Sequence, residues 1–177
     1  MLSPAKRAGV IAAAILGVVG SAPHASAAVD PLAVKFTNQR SALCIRLQDG
    51  ALISDCFGTS GEMNWTLAPI DTAPVEYRYI RSNFNGSCPA VSGSTLTLSS
   101  AGCTSGSGTA RMWQIVRYEP GAPPAGMAGV RMESIVGRKC MDTDAADNWA
   151  IIPGPCSNTS TSQQWNIPLD KFNALFG

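Results

Sequence analysis

The sequence predicts an all-β domain assembled from three repeats. Three observations lead there. Glycine and proline are frequent, at 17 and 12 of the 177 residues, and charged residues make up only 14 %. Apolar residues come in short alternating runs broken by turn formers, the pattern of short strands rather than of long helices. Above all, one set of landmarks recurs three times at a period of about forty to fifty residues, which marks a repeat architecture.

The first 27 residues stand outside that pattern. Lys6 and Arg7 precede an apolar run from Ala8 to Gly20 that is too short to cross a bilayer, and Ala25-Ser26-Ala27 fits a leader-peptidase site. They read as a secretory signal peptide. Cleavage there leaves residues 28–177 as one exported domain, and loss of the two leader cations takes the formal charge from +1 to −1. A near-neutral chain with no basic run gives no electrostatic case for nucleic acid, and no further segment has the length for membrane insertion.

The repeats are read from the tryptophans. Trp65, Trp113 and Trp165 lie 48 and 52 residues apart, and each is followed two positions on by an apolar residue, Leu67, Ile115 and Ile167. Upstream of each stands a cysteine pair, Cys44 and Cys56, Cys88 and Cys103, Cys140 and Cys156, whose second member precedes its tryptophan by nine, ten and nine residues. Eight residues before each first cysteine is an apolar residue, Phe36, Ile80 or Met132, in the strand-like runs "VKF", "YRYI" and "VRM". The repeats therefore occupy about 33–70, 77–118 and 129–169. "APIDTAPVE" and "EPGAPPAGMAG" between them read as surface loops, and the second is also readable as an interdomain linker. The C-terminal tail carries Phe172, Leu175 and Phe176, an apolar set to be covered by the domain or by a partner.

Six cysteines in an exported chain imply disulfides. Of the fifteen pairings that six cysteines allow, threefold repetition favours one local bridge per repeat, Cys44–Cys56, Cys88–Cys103 and Cys140–Cys156, with bridges between repeats as the alternative. Each local bridge contributes about 3 kcal/mol on the chain-entropy model.

The one histidine, His24, lies in the leader. The exported chain thus lacks the base of a Ser-His-Asp or Cys-His system and the imidazole of a His-ligated zinc site. No carboxylate pair is marked for glycoside hydrolysis. Asp142 and Asp144 lack the ligand count and spacing of a calcium loop. The expectation is a protein that is not an enzyme and has no metal or cofactor.

These landmarks resemble the ricin-type β-trefoil lectins, whose three repeats each carry Cys-x-Asp near the start, a second Cys, and Gln-x-Trp near the end. The resemblance spans about residues 33–169. It implies a β-trefoil of twelve strands with the three tryptophans in a pseudo-threefold core. It also implies a sugar site built from the Asp after the first Cys, a Gln that holds it, a preceding Asn and an aromatic platform shortly before the second Cys. A carboxylate accepts paired hydroxyl hydrogen bonds, and a ring covers the apolar face of a sugar.

Carried over position by position, the site survives in repeat three alone. Asp142 follows Cys140 and Gln163 precedes Trp165, with Ser162 at the Asn position. Repeat one has Arg46 and Met63 at the Asp and Gln positions, and repeat two has Ala90 and Arg111. The platform positions hold Ser54, Ala101 and Gly154, none aromatic, but Trp149 stands off the threefold pattern beside Asn148 and supplies a displaced platform for Asp142. The plainer readings are that Trp149 packs under its own loop and that Asp142 caps a turn or serves only to bond Gln163.

The resemblance thus implies a secreted, non-enzymatic carbohydrate-binding protein with at most one site, for a galactose-like or cell-wall glycan, formed by Asp142, Gln163, Trp149 and Asn148. The alternative is a degenerate trefoil that binds a co-secreted protein partner, as a toxin targeting subunit or an inhibitor of a secreted hydrolase.

Overall fold

The computed structural model describes residues 33–49, 51–71, 73–99, 103, 108–144, 146 and 150–177. The leader, Asn148 and Trp149 lie outside these residues.

Six strand positions close a barrel. The chain enters through β1 (Ala33–Val34) and β2 (Thr37–Asn38), forms a hairpin of β3 (Ile45–Gln48) and β4 (Ala51–Ser54), makes one helical turn α1 (Ser60–Met63), and returns through β5 (Trp65–Pro69). Repeat two follows the same course with β6 (Tyr77–Ser82), the hairpin β7 (Cys88–Ser92) and β8 (Thr95–Ser99), and β9 (Met112–Arg117). Repeat three does so with β10 (Met127–Ser134), the hairpin β11 (Lys139–Asp144) and β12 (Ala150–Pro155), and β13 (Trp165–Pro168), before the final helix α2 (Leu169–Phe176). The antiparallel ring runs β1–β5–β6–β9–β10–β13 and closes where β13 pairs β2. The three hairpins meet one another as a cap, through β4, β8 and β12. This is a β-trefoil. Its twelve strands count as thirteen segments because the first barrel strand is interrupted at Lys35–Phe36.

The recurring landmarks are the core. Trp65, Trp113 and Trp165 are fully buried, together with Phe36, Ile80, Met132, Leu67, Ile115 and Ile167. Each indole N–H donates to the carbonyl of the residue after the first cysteine of its own repeat: Trp65 to Ile45 at 3.1 Å, Trp113 to Pro89 at 3.0 Å, Trp165 to Met141 at 3.0 Å. A buried indole needs such a partner. The bond ties the last barrel strand of each repeat to its hairpin, so the tryptophan is required three times for geometry as well as volume.

The disulfides are Cys44–Cys56, Cys88–Cys103 and Cys140–Cys156, with Cα atoms 4.9, 6.0 and 5.0 Å apart. Two residues before each first cysteine the backbone turns left-handed, at Ala42 (φ 59°), Gly86 (φ 75°) and Arg138 (φ 48°). Only the middle repeat places a glycine there.

The Pro- and Gly-rich segment after β9 is a loop fastened to the barrel. Gly121 N–H donates to Gln164 Oε1 at 3.0 Å and Gln39 Nε2 to Ala122 O at 3.1 Å. Gln164 is fully buried and also donates to Asn166, which in turn donates to Gln39. The tail folds back on the domain. Leu175 is buried in the core cluster, Arg78 donates to Leu175 O at 2.9 Å, and the Arg78 and Arg117 guanidinium groups lie over the rings of Phe176 and Phe172. Burial pulls the Arg78 guanidinium below its ordinary value.

Candidate functional site

Strand β11 carries Asp142 on the hairpin of repeat three, and the short turn before Trp165 carries Gln163. The fold brings them together. Gln163 Nε2 donates to Asp142 Oδ2 at 2.8 Å and to Pro155 O at 2.8 Å, while Gln163 Oε1 accepts from Ser157 N–H at 2.9 Å. With 2 % of its surface exposed, Gln163 is a fixed strut whose amide atoms are all engaged in the hairpin and the loop after it. Asp142 is only partly buried. Its Oδ1 accepts from the backbone N–H of Thr143 at 2.7 Å.

Each carboxylate oxygen accepts about two hydrogen bonds, so among the described residues one acceptor position on each Asp142 oxygen is unused. Both donors that hold it among the described residues are neutral, and no cation pairs with it among them. A side chain on Gly154 would bring its Cβ to 3.1 Å from Asp142 Oδ2. The bare backbone at Gly154 therefore lets the Asp142 carboxylate pack close against β12. Asn148 and Trp149, the other two members expected here, lie outside the described residues.

The other repeats differ in kind. In repeat one Arg46 occupies the Asp position and is neutralised where it stands. It pairs with Asp55 at 2.8 Å and Glu62 at 3.3 Å, and donates to Phe57 O and Gln48 Oε1. The acidic residues stand one position before Cys56 and one before Met63, and were not singled out from the sequence; an uncompensated Arg46 with two acidic residues in the same repeat is the signal that could have found them. In repeat two Ala90 is buried and leaves no polar group at this place. The loop after Cys156 is clamped as well. Tyr118 Oη donates to Ser157 O at 2.6 Å, and the Arg131 guanidinium sits 4.4 Å from the Tyr118 ring centre while donating to the same carbonyl at 2.9 Å. These supports come from backbone carbonyls and from a different strand, so no local motif announces them.

Fold and site together define a β-trefoil with a hydrogen-bonded Asp–Gln pair in one repeat of three. No protein-family model matches the sequence. A comparison with curated proteins found no match. Solved structures do match. The chain is similar to the designed threefold-symmetric protein ThreeFoil (TM-score 0.57, 14 % identity, 77 % of this chain and 98 % of that one). It is also similar to SeviL bound to asialo-GM1 saccharide (TM-score 0.58, 12 % identity, 76 % and 94 %). A third match is the Haemophilus ducreyi cytolethal distending toxin (TM-score 0.58, 15 % identity, 77 % and 82 %). At these identities the likeness establishes the trefoil fold.

Proposed function

We propose that this chain is a secreted, non-enzymatic carbohydrate-binding trefoil with one ricin-type sugar site, in repeat three. The observation that carries the reading is the Asp142 carboxylate held by Gln163, with acceptor positions unused and no cation against it among the described residues. Sugar hydroxyls donate to such a carboxylate in charge-assisted hydrogen bonds. Three disulfides suit an oxidising compartment, and no helix among the described residues is long and apolar enough to cross a membrane. The saccharide bound by the structurally similar SeviL supports the same reading. A single site gains nothing from multivalency, so binding to a monovalent sugar is weak. A glycan array probed with the disulfide-bonded protein and with Asp142→Ala tests it: glycans bound by the first and lost by the second support the reading, and an array with no bound glycan contradicts it.

A second reading, a protein-interaction module such as a toxin targeting subunit, is favoured by one feature. Phe57 and Phe84 are 79 % and 58 % exposed, and both flank α1. Exposed aromatics of this kind are enriched where protein partners dock. The likeness to the cytolethal distending toxin supports it too. Under this reading Phe57→Ser weakens capture of a partner and leaves the glycan array blank.

A further inference from the structure

We propose a second saccharide site, in a groove on the outer barrel wall where repeats two and three meet, independent of the Asp142 site. The strand register builds it. Tyr77 of β6 stands opposite Gln114 of β9, Gln114 opposite Glu133 of β10, and Glu133 opposite Cys140 of β11. Directly opposed residues share one face of a sheet, so an aromatic ring, an amide and a carboxylate form a single lateral row. The face is the outer one, because the neighbours of Gln114, Trp113 and Ile115, point into the core. Adjacent strands lie about 4.8 Å apart, which places the Tyr77 and Glu133 positions roughly 10 Å from each other, the span of two linked sugar rings.

A hollow of about 440 Å³ lies along this row and reaches Arg138. A second, of about 380 Å³, shares Tyr77 and Ile135 with the first and continues over Ala73 and Met112. Both fall in the size range of small-ligand sites. The first offers hydrogen-bonding groups and the second an apolar annex, the division that a sugar with one hydroxylated edge and one apolar face requires.

The chemistry of the row fits a polyhydroxylated ligand. Arg131 holds Glu133 Oε1, with Nε at 2.8 Å, while Glu133 Oε2 accepts no hydrogen bond among the described residues. The carboxylate is fixed in direction and half open. The Gln114 side-chain amide, which both donates and accepts, also has no side-chain partner among the described residues, and Tyr77 supplies the ring. Glu133 lies with its carboxylate and the sulfurs of Cys140 and Cys156 within 4.8 Å of one another, but those sulfurs are bonded together and offer no thiolate to a metal.

The test is a ¹⁵N–¹H NMR titration of the disulfide-bonded protein with lactose and with cellobiose. The proposal expects shifts at the amides of Tyr77, Gln114, Glu133 and Ile135 that persist in Asp142→Ala. It expects apparent affinity there to fall about tenfold or more in Gln114→Ala, which removes a hydrogen-bonding amide, and in Glu133→Gln, which replaces a charged acceptor with a neutral amide whose oxygen stays on Arg131. Gln114 lies outside the hydrogen bonds that connect Asp142, Gln163, Ser157 and Arg131, so its truncation leaves the first site intact. Should Gln114→Ala lose its native spectrum, the isosteric Glu133→Gln carries the test. Shifts confined to the surroundings of Asp142 and Gln163, groove shifts that both variants retain, or no shifts with either sugar would overturn the proposal. Loss of Asp142-dependent binding alone bears on the first site and not on this one.

Discussion

The indole N–H of Trp165 donates to the carbonyl of Met141 across 3.0 Å of fully buried interior, and the same bond recurs from Trp113 to Pro89 and from Trp65 to Ile45. One hydrogen bond, repeated three times, joins each barrel wall to its hairpin. Trp→Phe at any of the three positions keeps a ring in the core but removes that donor and some volume. Each is expected to cost about 2–4 kcal/mol, combining an unsatisfied buried carbonyl with a small cavity. Urea denaturation of the three single variants checks this, and the costs should be similar across repeats.

The left-handed residues before the first cysteines give a prediction of opposite signs. At Ala42, with φ 59°, a glycine relieves steric strain of about 1–2 kcal/mol and forfeits about 0.5–1 kcal/mol of chain entropy. Ala42→Gly is therefore expected to be stabilising by about 0.5 kcal/mol. Gly86→Ala, at φ 75° with open space around the new methyl, is destabilising by a similar or larger amount. Thermal melts of the pair, run side by side, read both signs.

Gly129 has a different reason to be glycine. A Cβ there would meet Tyr118 O at 2.6 Å and Gln164 Nε2 at 2.8 Å, inside the network that fastens the Pro-rich loop. Gly129→Ala is expected to cost about 1–3 kcal/mol through overpacking. Proteolysis should then cut first between residues 119 and 126.

The tail belongs to the core. Leu175→Ala is expected to cost about 2–3 kcal/mol, the usual range for a buried leucine truncated at the edge of a cluster. Phe172→Ala, at a partly buried position, costs less. A stability measurement in which Leu175→Ala matches wild type would mean that α2 is undocked in solution.

The sugar-site pair separates stability from binding. Asp142→Ala leaves Gln163 Nε2 bonded to Pro155 O and Gln163 Oε1 bonded to Ser157 N–H. The variant should melt within about 1 kcal/mol of wild type, as expected for a partly exposed acceptor whose partner stays satisfied. Gln163→Ala removes all three bonds from a buried position and should cost about 2–4 kcal/mol. Chemical denaturation of the two variants distinguishes the strut from the ligand.

How much of this was legible in the sequence follows from what each residue does. Trp65, Trp113, Trp165 and the cysteine pairs repeat because volume, an indole hydrogen bond and a covalent bridge tolerate few substitutes, so both repeats and fold were readable. Asp142 and Gln163 were readable as a pair because both belong to one motif. The neutralisation of Arg46 by Asp55 and Glu62 was not read, since it exists only once the hairpin of repeat one has folded back on α1. The role of Gln164, adjacent to the motif glutamine, depends on a loop more than forty residues upstream. The row of Tyr77, Gln114 and Glu133 is set by strand register across three segments, and no sequence spacing encodes it directly.

Sugar binding at the Asp142 carboxylate is the property on which the proposed function rests. The most direct measurement is a crystal structure of the protein soaked with its strongest array glycan. The expected result is a sugar whose hydroxyls lie within hydrogen-bond distance of Asp142 Oδ1 and Oδ2 while Gln163 keeps its bond to Oδ2. A glycan seated elsewhere, with the Asp142 carboxylate facing only solvent, would contradict it.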